Sequence, residues 1–241
     1  MPRRGSIGRR SEDLYSAMQI NISENDITID VYVDFRGDEN LTTDNGTSCK
    51  DLAIAGIENW SGNYLDVFGE DVTVSVNVHE GDSSIWEPQK YVIINLKEKD
   101  GISHTSYEWG VWRNTSGRTI HMYRIDSRKG YVFSDEQYER TITHEMGHVF
   151  GIDDGYKDKP SFIRDLAAKA IGITHPTYRP DAKDLGLIAA DDVMRYQYDR
   201  LNISNTDIGM LILAYSQNRF QSFADYTGHK QSKYFNQEGK E

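Results

Sequence analysis

Cysteine, basic charge and long hydrophobic runs are all scarce in this chain. One cysteine in 241 residues, Cys49, leaves no partner for an intramolecular disulfide and excludes a cysteine-built zinc cluster. Because Cys49 opens the apolar run to Ile57, it reads as a packing thiol rather than a nucleophile. No stretch approaches the roughly 18 apolar residues that span a bilayer, so membrane insertion is not expected. Lys and Arg number 27 against 38 Asp and Glu, a net charge of −11. A polyanion partner needs a basic face that releases counterions, which makes nucleic acid an unsuitable ligand, and an anionic membrane surface is disfavoured for the same reason. The first ten residues carry Arg3, Arg4, Arg9 and Arg10, but no apolar core follows them, so they do not form a secretory signal. Residues 1–18 are read as a disordered linker or processing remnant.

What is present suits a folded domain. The apolar fraction of 37% and aromatic fraction of 11% can build a core, and the length allows one domain, or two unequal lobes around a cleft. Residues 19–241 are taken as that single domain. Alternation predicts a strand over Ile27–Phe35 and another over Val72–Val78, and the apolar run Tyr91–Leu96 predicts a third. Trp109–Trp112 and Thr119–Tyr123 are shorter strand candidates, joined by the turn-like Asn114–Gly117. Leu52, Ala53, Ile57 and Trp60 recur at helical spacing, predicting a helix over Ser48–Trp60. The acidic residues Asp34, Asp38, Glu39 and Asp44 lack EF-hand spacing and read as part of a solvated loop. A second helix is expected from near Ser134, with Asp135 and Glu136 in its first turn, to Gly151. Further helices are expected over Ser161–Ala170 and Thr206–Arg219, separated by a loop through Pro176 and Pro180. Strands mixed with helices predict an α+β sheet with helices on one face.

The chemistry concentrates in His144-Glu145-Met146-Gly147-His148-Val149-Phe150-Gly151-Ile152-Asp153-Asp154. Residues four apart on a helix share a face, so His144 and His148 can both reach a metal ion. Glu145 is rotated off that axis, where it can handle a proton of attacking water. Gly151 can take a positive φ and double the chain back, delivering Asp154 as a third ligand, with Asp153 as its rival. Two imidazoles and a carboxylate suit zinc. With 7 histidines in the chain, a chance His-Glu-x-x-His is expected on the order of once per hundred such sequences. The glycine and aspartate at their offsets lower that further, so the pattern is read as a site.

The run His144–Asp154 resembles the metzincin zinc-peptidase signature, His-Glu-x-x-His-x-x-Gly-x-x-His/Asp, in its aspartate-ending form. Asp192-Val193-Met194-Arg195-Tyr196 resembles the Met-turn that lies beneath the metal in that clan. The resemblance implies a two-lobed metzincin-like zincin, with an upper lobe over about 19–151 and a lower lobe over about 152–241 that carries the Met-turn and a terminal helix. It implies zinc on His144, His148 and Asp154, Glu145 as general base, Met194 as the Met-turn methionine and Tyr196 as an oxyanion-stabilising residue. Substrate in this clan lies along an edge strand before the metal helix, for which Thr119–Tyr123 is the candidate. The motifs cover about a tenth of the chain, with Asp154 in place of the commoner third histidine and no cysteine-switch propeptide. Other zinc-peptidase patterns fit less well: a gluzincin glutamate is missing where Asp165 stands, no Gly-Thr-x-x-Asp is present, and His175 reads as an exposed loop residue. The expected activity is therefore zinc-dependent endopeptidase action on protein or peptide substrates by a monomer, exported or extracellular, with a cytoplasmic place as the alternative. Two rival readings are a protease toxin or effector domain with one narrow target, and a non-catalytic binding module stabilised by zinc.

Overall fold

Ile27, Ile29, Val31 and Val33 alternate with polar residues and are all buried. That alternation builds the central strand β2 (Asp26–Gly37) of an eight-stranded mixed sheet. A computed structural model describes residues 17–23, 25–65, 69–82, 90–106, 119–155, 192–195, 201–217 and 221. Its strands are β1 (Met18–Ile22), β2, β3 (Gly62–Leu65), β4 (Asp71–Glu80), β5 (Val92–Gly101), β6 (His104–Ser106), β7 (Thr119–Asp126) and β8 (Tyr131–Val132). Its helices are α1 (Cys49–Glu58), α2 (Asp135–Val149) and α3 (Asn205–Gln217).

The sheet runs β3-β4-β2-β5-β7-β6, with β1 paired to β2 and β8 to β7. Strands β4, β2, β5 and β7 are mutually parallel, whereas β1, β3, β6 and β8 pair antiparallel. Val72, Val74, Val76, Val92, Ile94, Leu96, Ile120 and Met122 continue the buried face across the strands. Helices α1 and α2 pack against each other, α1 lies against β4, and α2 against β6 and β7. The chain is thus α+β, as the mixture of periodicities predicts. Among the described residues, no helix is long and apolar enough to cross a membrane.

The three long strands and the 135–149 helix fall where the patterns put them, each with ends shifted by a few residues. Two expectations need correction. The expected linker over residues 1–18 does not extend to its last two residues: Ala17 and Met18 are both buried, and Met18 pairs with Val31. Thr119–Tyr123 is not an edge: β6 covers it through Thr119↔Ser106, Ile120↔Thr105 and His121↔His104. The parallel pairing with β5 on its other side makes β7 an interior strand there, and β6 is the outermost described strand beside α2. The expected elements Trp109–Trp112, Asn114–Gly117, Ser161–Ala170 and the 176–180 loop lie outside the described residues, as does most of the expected lower lobe.

Candidate metal centre

Helix α2 carries the site, and its ends are fixed by local sequence. The Ser134 hydroxyl accepts from the Gln137 amide at 3.3 Å, and the Gln137 side chain accepts from the Ser134 amide at 3.2 Å. This reciprocal cap satisfies two donors that a helix start leaves open. The Asp135 carboxylate accepts from the Thr43 and Thr47 hydroxyls, tying the loop before α1 to the head of α2. At the other end the Ile152 amide bonds the Gly147 carbonyl at 2.9 Å and the Gly151 amide bonds the His148 carbonyl at 3.0 Å. These are the paired bonds of a Schellman close, and they require the φ of +88° that Gly151 adopts.

The same bend brings the three candidate ligands together. His148 Nδ1 donates to the Ile152 carbonyl at 2.8 Å, and His144 Nδ1 donates to the Val193 carbonyl at 2.8 Å. A carbonyl can only accept, so each Nδ1 carries a proton and Nε2 is the nitrogen that each ring turns toward Asp154. Asp154 Oδ1 lies 3.4 Å from His144 Nε2 and 3.3 Å from His148 Nε2. Tetrahedral ligands at zinc-like bond lengths of roughly 2.0–2.1 Å stand about 3.3–3.4 Å apart, so the spacing fits one shared ion. Asp154 Oδ1 is also buried without a hydrogen-bond partner, an orphaned acceptor that a cation would satisfy. Among the described residues, these three form the only group of His, Cys, Asp or Glu side chains that can hold a metal.

Electrostatics agree with the geometry. Burial disfavours the charged His148 imidazole, yet the Asp154 carboxylate, with Glu145 adding, pushes it up to about 10. Burial would raise the Asp154 carboxyl, but the two imidazoles beside it hold it well below the usual carboxylate range. Without metal the pair is a buried ion pair, and an entering cation displaces the imidazole proton.

Asp153, the rival ligand, faces elsewhere: its Oδ1 accepts from the Asp154 amide at 3.0 Å, and its own amide donates to the Gln221 carbonyl at 3.0 Å. Glu145 is buried, and its Oε2 accepts from the Thr105 hydroxyl at 2.8 Å. Met194 is fully buried against α2. The 192–195 turn that holds it is fastened on several sides. Asp192 Oδ1 takes the Met194 amide at 2.8 Å, Arg140 Nη2 reaches the Asp192 and Arg195 carbonyls at 3.4 and 3.2 Å, and the Gly155 amide donates to the Met194 carbonyl at 2.8 Å. Tyr196, His175 and Asp165 lie outside the described residues.

Three contributors carry no mark in the sequence. Thr105 and Arg140 meet the site through non-local contacts. The third is a buried carboxyl pair, Asp192 and Asp207, each of which perturbs the other. Asp192 Oδ2 and Asp207 Oδ1 are buried with no hydrogen-bond partner among the described residues. Burial pushes Asp192 up to about 6, and burial together with the Asp192 charge raises Asp207 well above the carboxylate range. One proton held between them supplies the donor that two carboxylates lack.

No family model, curated protein or solved structure matches the chain.

Proposed function

We propose that the chain is a zinc-dependent endopeptidase of metzincin-like build. The observation that carries this reading is that Asp154 Oδ1 stands 3.4 and 3.3 Å from the Nε2 atoms of His144 and His148, all three ligand atoms lying within 4.8 Å of one another, with Glu145 beside the first ligand. The donor set alone also suits non-haem iron(II). A buried carboxylate one residue from the first histidine, outside the ligand set, favours hydrolysis, which needs a proton carrier.

His144 Nε2, His148 Nε2 and Asp154 Oδ1 would hold a zinc ion, which when bound would supply Lewis acidity to water and to the scissile carbonyl. The Val193 and Ile152 carbonyls hold both imidazoles in the tautomer that presents Nε2. Glu145 takes a proton from water as the water oxygen attacks the carbonyl carbon, then gives that proton to the departing amine as the C–N bond breaks. Met194, buried against Gly147, keeps the floor of the site apolar. The strand available for pairing with an extended peptide is β6, the outermost described strand beside α2, and added strands bind by main-chain hydrogen bonds.

The test is a zinc-loaded protein challenged with a mixed pool of unstructured peptides, read by mass spectrometry of new termini. Internal cleavage that disappears in Glu145→Gln, with zinc stoichiometry kept, is expected. A stoichiometrically loaded protein that cuts nothing in the pool would contradict the reading.

A further inference from the structure

Thr105 is the middle residue of β6, paired with Ile120 of β7. It is 5% exposed, so its hydroxyl has no water to satisfy it. That hydroxyl lies 2.8 Å from Glu145 Oε2 and 3.0 Å from the Glu145 backbone carbonyl. It has one proton to donate and two acceptors of the same residue within reach. The side-chain oxygen is the nearer of the two, so the proton goes to Oε2. Among the described residues no donor reaches Oε1.

We propose that Thr105 is the positioning residue of the proton-carrying carboxylate: its hydroxyl engages Glu145 Oε2, fixes the plane of the carboxyl group, and leaves Oε1 as the oxygen that exchanges protons with water and the leaving amine. The proposal rests on the reading of Glu145 as proton carrier. A carboxylate otherwise turns about its last side-chain bond in a broad, roughly two-fold well, so an unheld Glu145 would spend much of its time misaligned for transfer. The threonine methyl can be matched by valine, which keeps shape and strand preference and removes only the bond. Because Thr105 sits on the outer strand, the contact also links the alignment of Glu145 to whatever pairs with β6.

The experiment compares wild type, Thr105→Val and Thr105→Ser, all zinc-loaded, by peptide kinetics and by crystal structures of each. Thr105→Val is expected to lose about 10–100-fold in kcat at unchanged KM and zinc stoichiometry. Thr105→Ser is expected to recover to within a few-fold of wild type. In the crystal, the Glu145 carboxylate of Thr105→Val should be rotated or split between orientations, and that of Thr105→Ser should match wild type. An unmoved Glu145 in Thr105→Val, or a serine variant as slow as the valine one, overturns the proposal. If wild type itself cleaves nothing, the peptidase reading has failed, and the carboxylate orientation alone still decides whether Thr105 positions Glu145.

Discussion

A Cβ built on Gly147 would stand 2.3 Å from the sulfur of Met194 and 3.0 Å from Cζ2 of Trp60. The residue before His148 is therefore glycine because the buried methionine of the 192–195 turn occupies the space its side chain would need. Met194 has no exposed surface into which to retreat, so Gly147→Ala should destabilise by about 1–3 kcal/mol. Met194→Ala should cost about 2–5 kcal/mol through the cavity it leaves. The double variant removes the clash with the sulfur, so urea denaturation should find it less destabilised than the sum of the two singles. Additive costs would mean that the two residues do not touch.

Asp154→Ala removes one of the three proposed ligands. Loss of residues that merely support a ligand costs about 10–100-fold in metal affinity, so loss of the ligand itself should cost more than about 100-fold. Competition with a chromophoric chelator measures this directly. Asp153→Ala should leave the affinity within a few-fold of wild type, since the Asp153 side chain is turned toward the Asp154 amide.

Glu145→Ala should bind zinc as wild type does and lose about 100–10,000-fold in kcat. Retained hydrolysis in a zinc-loaded Glu145→Ala protein would remove Glu145 from the mechanism.

The Asp192–Asp207 pair makes stability depend on pH in an unusual direction. Folding raises the Asp192 pKa from 3.8 to about 6 and that of Asp207 further, so above pH 4 the folded chain holds protons that the unfolded chain releases. The stabilisation is complete below the unfolded value near 4 and is lost as pH rises through the folded values. Asp207→Asn keeps a hydrogen-bonding side chain without the second charge. In excess chelator, it should be more stable than wild type at pH 8 by on the order of 1–3 kcal/mol. Near pH 4.5 the difference should shrink, because the wild-type pair then holds its proton. Urea midpoints of equal difference at both pH values would show that the pair shares no proton.

How much of this was legible in the sequence follows from the distance along the chain over which each feature is encoded. The metal cluster lies within residues 144–154, where helix spacing and one glycine bend suffice to predict that His144, His148 and Asp154 meet. Helix α2 was equally local, announced by Ser134 and stopped by Gly151. Strand β1 escapes the sequence because it has only two buried residues, Met18 and Ile20, too few for an alternation to register. Three-residue β6 is too short for a period to register, and without it β7 looked like an edge. Thr105 with Glu145, Arg140 with the 192–195 turn, and Asp192 with Asp207 are tertiary contacts between residues unremarkable in their own segments.

X-ray absorption at the zinc edge, on the protein loaded with one equivalent and on Asp154→Ala, tests the central claim most directly. The account predicts a four-coordinate ion with two imidazoles at about 2.0–2.1 Å and the remaining neighbours oxygen, with the protein oxygen lost in the variant. A spectrum without two imidazoles, or one that Asp154→Ala leaves unchanged, would contradict it.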